Sequence, residues 1–360
     1  HGARQGRRDS VRVRCVAGAP MAATVTGVLL LLLPAVLSMT AAATGMLILV
    51  RHGQSEWNLD NKFTGWMDVP LTKQGRSDAR RAGQLISESG MRVDVCYTSA
   101  LKRSIDTADI VCELLQGDSS RKIPVRQRYR LNERHYGSLT GLSKRDDVAQ
   151  LPKEDLLAWR STLDGRPPPL QPSNPHYAEI AAACDADALL QEGLELPLTE
   201  SIRDCCKRVE PLWRDEIRPA ILHGGKTIMV VGHANNLRAL IKCVQGLDDD
   251  ELSRLGVPNG LPLVYEFLTS GRPLPDPRAT GTVAPLTGRY LGTESVIFES
   301  MDVDKSGTLS EQELSDAGLC SIDDGDCQRL LSSIDNNGDG RIDFNEYVAW
   351  MEGQVKDQTE

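Results

Sequence analysis

The chain has 360 residues and a formal net charge of −9. This length is enough for one α/β domain of about 250 residues and an additional lobe of about 65 residues. The acidic side chains are concentrated in residues 294–360, and no basic face is apparent, so the charge pattern excludes a nucleic-acid-binding protein.

The first segment, residues 1–45, has the layout of a targeting signal. Residues 1–14 are rich in arginine, and residues 22–44 are uncharged, with a dense run of leucines followed by small side chains. This order is typical of a signal peptide, and the apolar core, which contains Pro34, is short for a membrane anchor. We predict a secretory or plastid-type destination, with membrane or translocon contact confined to this segment. If Met21 is the true start, the basic region is lost and a cytoplasmic location stays open.

Two β-type runs each end next to a histidine. An apolar run at 47–50 leads to His52, and a second run at 227–231 leads to His233. In an open α/β sheet, reactive groups gather at the carboxyl ends of strands, so we expect both histidines at one edge. Neutral imidazole is a good nucleophile toward phosphorus and then gives the phosphoryl group up easily. The pair therefore indicates phosphoryl chemistry.

Fixed cations are the second requirement of such a site, because phosphoryl oxygens are negatively charged. Arginine suits best, since its planar fork matches phosphate and stays charged. Arg51 adjoins the first histidine, and Arg103 follows a third β-type run; Lys144 and Arg160 are further candidates. Glu133 is the candidate proton shuttle for a substrate hydroxyl.

Strand-like runs alternate with helical segments, such as 75–87 and 235–245, through residues 46–293. This alternation predicts an α/β domain with a doubly wound, mostly parallel sheet flanked by helices. Residues 164–197 are rich in proline and alanine, and we interpret them as an insertion near the site. The nine cysteines are scattered, odd in number and without metal-type spacing, which favours free thiols over a disulfide framework.

A twelve-residue pattern occurs twice in residues 294–360, at 302–313 and at 335–346. Oxygen-bearing side chains recur at alternate positions, with glycine at position 6 and glutamate at position 12. Ca²⁺ is a hard ion that takes about seven oxygens, and the glycine permits the sharp turn around it. The two segments resemble EF-hand loops, flanked by amphipathic helices in an all-α lobe. The predicted ligands are Asp302, Asp304, Ser306, Thr308, Glu313, Asp335, Asn337, Asp339, Arg341 and Glu346.

At the ligand positions of the loops, the second loop has four carboxylates and the first has three, at positions 1, 3 and 12, so we predict that the second binds Ca²⁺ more tightly.

Six sequence blocks in residues 46–293 match one enzyme family. They are Leu49-Val50-Arg51-His52-Gly53, Phe63-Thr64-Gly65-Trp66, Leu131-Asn132-Glu133-Arg134-His135-Tyr136-Gly137, Leu196-Pro197-Leu198-Thr199-Glu200-Ser201, Gly232-His233-Ala234-Asn235-Asn236-Leu237-Arg238-Ala239-Leu240 and Pro262-Leu263-Val264-Tyr265-Glu266. With these blocks the region resembles a cofactor-dependent phosphoglycerate mutase of the histidine phosphatase superfamily. The arginine-histidine-glycine triplet alone is shared with many phosphatases, and the other blocks narrow the resemblance to mutases.

The resemblance implies a role for each matching residue. His52 would be the phosphorylated nucleophile, Glu133 the acid/base, and His233 the group that stabilises the transferring phosphoryl group, with Arg51 and Arg103 completing the catalytic set. The implied substrate-binding residues are Gly53, Ser55, Asn58, Thr64, Gly65, Arg134, Tyr136, Lys144, Arg160, Ser161, Ala234 and Asn235.

The implied reaction is the reversible conversion of 3-phosphoglycerate to 2-phosphoglycerate, a step of glycolysis and gluconeogenesis. 2,3-Bisphosphoglycerate primes the enzyme, and no catalytic metal is implied. Two departures from the family predict weaker binding: Ser161 stands where a second arginine is usual, and Ala234 stands where glycine is usual.

Other readings stay open. They are a bisphosphoglycerate mutase or phosphatase of the same superfamily, and a calcium-binding protein whose mutase domain is not catalytic. A homo-oligomer formed through the catalytic domain also stays open. A glycolytic role favours the cytosol, whereas residues 1–45 argue against it.

Overall fold

The fold is taken from a computed structural model of the chain. It describes residues 45–117, 121–144, 151–183, 195–253, 255–276, 279, 286–317, 319–320 and 325–357. The predicted targeting segment lies outside these residues, apart from Gly45. Among the helices within these ranges, none combines the length and apolar composition that a bilayer crossing requires.

A seven-stranded mixed sheet forms the centre of the α/β region, residues 45–293. Its strands are β1 (Met46–Arg51), β2 (Val95–Thr98), β3 (Val125–Gln127), β4 (Thr227–Gly232), β5 (Leu263–Phe267), β6 (Pro273–Leu274) and β7 (Arg289–Tyr290). They are arranged in the order β3-β2-β4-β1-β5-β6, with β7 also paired to β5. The first four strands in this order are mutually parallel, and the pairs that β5 makes with β1, β6 and β7 are antiparallel. The predicted α/β class is confirmed, with antiparallel strands at one edge.

Helices cover both faces of the sheet. They are α1 (Glu56–Leu59), α2 (Lys73–Glu88), α3 (Lys102–Gln116), α4 (Lys153–Ser161), α5 (Tyr177–Ala183), α6 (Ile202–Leu212), α7 (Arg218–Leu222), α8 (Ala234–Gln245) and α9 (Asp249–Ser253). A π-helical segment, Trp213–Ile217, joins α6 to α7. The predicted helical segments 75–87 and 235–245 lie within α2 and α8.

The central strand β1 is buried on both faces of the sheet, which explains why its sequence is continuously apolar. Leu47 and Leu49 belong to the core beneath α6 and α8, whereas Ile48 and Val50 belong to the core beneath α2 and α3. A strand covered on both faces has no polar face to alternate with, so its side chains are all apolar. The same burial positions the carboxyl end of β1 deep in the molecule.

The proline-rich segment 164–197 packs beside the site, in the part that the structure describes. Leu170 and Ile180 are buried in one cluster with Trp66. The stretch 184–194 lies outside the described residues. The insertion therefore supports the loop around Trp66.

The C-terminal lobe, residues 294–357, consists of two helix–loop–helix units. Its elements are α10 (Glu294–Met301), β8 (Thr308–Leu309), α11 (Glu311–Asp316), α12 (Asp326–Ile334), β9 (Ile342–Asp343) and α13 (Phe344–Asp357). β8 and β9 pair antiparallel and join the two loops, with Leu309 opposite Ile342. Phe298 and Tyr347 share one hydrophobic cluster with Tyr290 of the α/β region, so the lobe and that region have a continuous core.

The preference for free thiols is wrong at one place. Cys320 and Cys327 form a disulfide in the lobe, with their Cα atoms 4.8 Å apart. The bridge lies in the connection between the two helix–loop–helix units. The other described cysteines, at 96, 112, 205, 206 and 243, are free thiols.

Candidate active site

The register of the two central strands brings the predicted histidines together. β1 and β4 pair with Arg51 opposite Gly232, so the next residue of each strand is a histidine at the same edge. The His52 N–H donates to the Gly232 carbonyl at 2.9 Å. The two rings lie edge to face with centroids 4.9 Å apart, and both are buried.

Hydrogen bonds define the tautomer of His52. Its Nδ1 lies 2.7 Å from the Gly53 carbonyl oxygen, which can only accept, so Nδ1 carries the proton. Its Nε2 accepts from Arg103 Nε at 3.3 Å. Burial, and then the charges of Arg103 and Arg51, hold the pKa of His52 well below its usual value. His52 is therefore a neutral imidazole with its Nε2 lone pair directed into the site, as a nucleophile requires.

His233 stands at the N-terminus of α8. Its ring Nε2 lies 2.8 Å from Ser99 Oγ, and its backbone N–H donates to Asn236 Oδ1 at 2.6 Å. Burial, and then the charges of Arg103 and His52, lower the pKa of His233 well below its usual value. The positive end of α8 favours a negatively charged group beside this histidine.

Arg103 is the buried cation closest to the nucleophile. Its two terminal nitrogens donate to the carbonyls of Met67 and Gly65, each at 2.9 Å. Burial lowers its pKa to about 10, so the guanidinium stays charged at neutral pH. The two carbonyls hold the fork in one orientation, and its charge thereby faces His52.

Glu133 lies in a short segment between two 3₁₀ turns, Tyr129–Leu131 and Gly137–Leu139. Its Oε1 accepts from the N–H groups of Arg134 at 2.7 Å and Asn235 at 3.2 Å. The carboxylate is buried and lines the same cavity as His52. This arrangement fits a proton acceptor held against the site.

One cavity of about 200 Å³ connects these groups. The predicted residues that line it are Arg51, His52, Asn58, Thr64, Gly65, Arg103, Glu133, Arg134, Tyr136, Lys144, Ala234 and Asn235. Tyr136 accepts from Asn235 Nδ2 at 2.9 Å, and burial raises the pKa of its hydroxyl. His233 does not line the cavity; its ring is fully buried and packs edge to face against the ring of His52.

Two predicted substrate-binding residues do not line the cavity. A Cβ on Gly53 would lie 2.0 Å from the Gly75 carbonyl oxygen, so this glycine permits two backbones to pack together. Ser55 caps α1, and its hydroxyl donates to Asn58 Oδ1 at 2.8 Å. Arg160 and Ser161 lie in α4, and their side chains fall outside the described residues.

The structure adds residues to the predicted lining of the cavity. Arg238, like Arg134, lines the cavity while its guanidinium donates to backbone carbonyls, including that of Leu252 at 2.6 Å. The added lining residues are Lys62, Phe63, Arg238, Leu255, Gly256, Val257 and Ser315. The last of these belongs to α11 of the C-terminal lobe.

A buried ion pair supports the Glu133 segment from behind. Arg208 Nε donates to Glu200 Oε1 at 2.7 Å, and Arg208 also donates to the Glu133 carbonyl at 3.2 Å. Burial lowers the pKa of Arg208, but the neighbouring Glu200 carboxylate outweighs it and the net pKa is raised. Glu200 lies in one of the matching sequence blocks, whereas nothing in the sequence marked Arg208.

The first calcium loop has converging oxygens. Ligand atoms of Asp302, Asp304 and Glu313 lie within 4.8 Å of one another. Asp302 also accepts from the N–H groups of Ser306 and Gly307 at 3.0 and 2.9 Å, which folds the loop around these carboxylates. The spacing and the oxygen chemistry fit one Ca²⁺ ion.

The second loop is folded by the same kind of bonds. Asp335 accepts from Gly338 N at 2.7 Å and Gly340 N at 2.8 Å, and Glu346 accepts from Asn336 N at 2.8 Å. Asn337 and Asp339 complete its turn through a bond of 2.8 Å.

Arg341 connects the second loop to the first. Its guanidinium donates to Ser306 Oγ at 3.1 Å and Thr308 Oγ1 at 3.0 Å. Two predicted ligands of the first loop thus contact a cation from the second.

The fold and the site are those of an enzyme of the phosphatase and mutase type. The sequence model of the histidine phosphatase superfamily (branch 1) matches residues 47–186 and 173–272, and the chain belongs to this superfamily. The model of the EF-hand domain pair matches residues 295–352, so the chain also carries a C-terminal EF-hand pair of the kind that binds Ca²⁺.

Several solved structures are similar to the chain. A mycobacterial glucosyl-3-phosphoglycerate phosphatase is 22% identical, with 62% of this chain and 92% of that chain covered and a TM-score of 0.46. An α-ribazole phosphatase from Shigella flexneri is 22% identical, with 63% and 93% covered and a TM-score of 0.45. YhfR from Bacillus stearothermophilus is 23% identical, with 64% and 94% covered and a TM-score of 0.47.

Proposed function

We propose that the protein is a phosphoglycerate mutase that interconverts 3-phosphoglycerate and 2-phosphoglycerate through a phosphohistidine at His52. 2,3-Bisphosphoglycerate would supply the phosphoryl group that primes this histidine. The EF-hand pair adds a calcium-binding function to the same chain.

The charge of the cavity carries this proposal. Its lining includes six basic side chains and one carboxylate, that of Glu133, around a volume of about 200 Å³. Guanidinium and ammonium groups in such excess favour a small polyanion with two phosphate groups over a monoester with a neutral body. The six basic residues are Arg51, Lys62, Arg103, Arg134, Lys144 and Arg238.

Each catalytic residue then has one task. His52 Nε2 attacks phosphorus, a P–N bond forms, the P–O bond to the leaving oxygen breaks, and that oxygen takes a proton from Glu133. Arg103 and the N-terminus of α8 stabilise the negative charge that builds up on the phosphoryl oxygens. In the reverse transfer, Glu133 accepts the proton of the attacking substrate hydroxyl as the new P–O bond forms.

Hydrolysis is the second candidate, and Ser161 is the observation that favours it. An arginine is usual there in the mutases that the chain resembles. With one phosphate-binding cation fewer, substrate would be held less tightly, and water would then compete for the phosphohistidine. A bisphosphoglycerate mutase would differ from the proposed enzyme only in its ratio of products.

The deciding experiment follows both products at once. The full chain is incubated with 3-phosphoglycerate and trace 2,3-bisphosphoglycerate, and 2-phosphoglycerate and free phosphate are quantified by ³¹P NMR. We expect 2-phosphoglycerate to form far faster than phosphate, and only when the bisphosphate is present. Phosphate without 2-phosphoglycerate would establish the hydrolase instead. If neither product formed, the chain would be a calcium-binding protein whose mutase domain is not catalytic.

Two variants control this assay. His52→Ala removes the nucleophile and should abolish both the reaction and the acid-labile phosphorylation of the protein. His223→Ala changes an exposed imidazole just before β4, outside the site, and should behave like the unchanged chain.

A further inference from the structure

The active-site cavity is bounded in part by the C-terminal lobe. Ser315 lines the cavity together with His52 and Glu133, although it lies in α11, between the two calcium loops. It is half-buried, as expected for a side chain at a cavity wall. The site is therefore built from both parts of the chain.

The first calcium loop also faces the α/β region beside His52 across a cleft. A small cleft of about 30 Å³ is lined by Asp302 and Val303 on one side and by Asn58 and Asn259 on the other. Asn58 lines the active-site cavity as well. Asn259 Nδ2 donates to the His52 carbonyl at 2.7 Å, so one residue separates this loop from the backbone of the nucleophile.

A predicted calcium ligand is linked covalently to the cavity wall. Glu313, at position 12 of the first loop, lies two residues before Ser315 in α11. The carboxylates of Asp302, Asp304 and Glu313 converge within 4.8 Å, an arrangement that their mutual repulsion opposes and a divalent cation stabilises. Loss of the cation therefore favours separation of Glu313 from Asp302, and a shift of α11 moves Ser315 with it.

We propose that the first EF-hand is a calcium-dependent wall of the active site, and that Ser315 is the group it presents to the substrate. Ca²⁺ in loop 302–313 holds α11 in place and completes the cavity, and its removal weakens substrate binding. The role of Ser315 rests on the proposed function, because that function defines the substrate. The position of the wall depends only on the calcium loop.

The first test uses the reciprocity of binding. If Ca²⁺ tightens 3-phosphoglycerate binding by some factor, 3-phosphoglycerate must tighten Ca²⁺ binding by the same factor. Calorimetric titration of the full chain with Ca²⁺, with and without saturating 3-phosphoglycerate, should show a gain of roughly fivefold or more at one site. If 3-phosphoglycerate binds and the Ca²⁺ affinity is the same with and without it, the proposal is overturned.

Paired variants assign the effect to one loop. Glu313→Gln and Glu346→Gln remove the same carboxylate from the same position of the first and second loops. The gain should disappear in Glu313→Gln and persist in Glu346→Gln, because the first loop is the one against Asn58 and Asn259. The reverse pattern would contradict the proposed wall. Melting temperatures in chelator that equal that of the unchanged chain confirm that both variants are folded.

Hydrogen exchange separates this proposal from the proposed function. Ca²⁺ should slow amide exchange in 255–259 and in α11 of the unchanged chain, and should do so far less in Glu313→Gln. Failure of 3-phosphoglycerate to bind would refute the proposed function alone, if this protection is still observed. Absence of the protection would refute the calcium-dependent wall whatever the substrate is.

The Ser315 side chain is tested by Ser315→Phe, with inorganic phosphate as the reference ligand. The larger group should raise the KM for 3-phosphoglycerate about tenfold, with a smaller change in kcat, and leave phosphate binding within twofold. An unchanged KM would show that Ser315 does not contact the substrate.

Discussion

Arg103 donates from Nε to His52 Nε2 at 3.3 Å while the rest of its fork is bound to two backbone carbonyls. The cation is therefore oriented before any substrate arrives. A preorganised charge is worth more in transition-state stabilisation than one that must reorient during the reaction. Burial, and then the positive charge of Arg103, lower the pKa of His52 and keep its imidazole neutral.

Arg103→Lys should lower kcat about 100-fold. Lysine keeps the charge, but one ammonium group cannot bind both carbonyls and face His52 in the same geometry. Steady-state kinetics and the melting temperature measure the effect, with Arg76→Lys as the control because Arg76 is exposed and pairs with Asp106 at 3.1 Å. Wild-type kcat in Arg103→Lys would show that charge alone suffices.

The pH dependence of stability should be steep on the acid side, because burial lowers the pKa of His135 to about 4. The unfolded chain titrates this imidazole near pH 6.5. Between these pH values the unfolded state binds the proton and the native state does not. The free energy of unfolding therefore falls as pH falls, by up to about 1.4 kcal/mol per pH unit for this group.

Urea unfolding of His135→Asn between pH 7 and pH 5 tests this contribution. The variant should lose stability less steeply than the unchanged chain as the pH falls, whatever its stability at pH 7. His223→Asn, which changes an exposed imidazole, should keep the original slope. Identical slopes in all three proteins would mean that folding does not lower the pKa of His135.

Gly53→Ala should destabilise the fold by roughly 1–3 kcal/mol, the usual range for overpacking. The added Cβ would lie 2.0 Å from the Gly75 carbonyl oxygen, so the backbones next to His52 must separate. Gly83→Ala is the matched control within α2, because its Cβ would lie 3.3 Å from Leu114 Cβ, a much looser contact than the one at Gly53. Chemical unfolding measures both, and equal effects would contradict the packing argument.

The second calcium loop should bind more tightly than the first. In addition to its extra carboxylate, its Arg341 side chain contacts Ser306 and Thr308 and places a cation at the edge of the first loop. Calcium titration of Glu313→Gln and Glu346→Gln measures each loop separately. Arg341→Gln should raise the affinity of the first loop severalfold, because a repulsive charge is removed; a tighter first loop in the unchanged chain would refute the ranking.

Local patterns were sufficient for the parts of the molecule that depend on consecutive residues. Residues 47–50 and 228–231 are apolar because their strands are buried, and a histidine follows the end of each strand. The calcium loops are equally local, since a twelve-residue turn must carry its own oxygens. These features therefore require no knowledge of distant contacts.

Contacts between residues far apart in the chain determined the features that local patterns did not predict. Gly53 ends a family block and Ser55 lies two residues after it, but their surroundings make the first a backbone-packing residue and the second a helix cap. Cys320 and Cys327 are paired because the lobe brings their Cα atoms to 4.8 Å, a separation that spacing along the chain does not reveal.

The sequence by itself was sufficient to predict that two strands each end next to a histidine, that residues 46–293 are of the α/β class, and that two calcium loops follow. These features depend on periodicity and loop geometry, which involve only neighbouring residues. Only the tertiary structure decided that Arg208 supports the Glu133 segment and that Ser315 lines the cavity. Both positions depend on how elements far apart in the chain pack together. The physical reason is that the burial of a residue depends on the other elements that pack against it, and a short segment of sequence does not specify those elements.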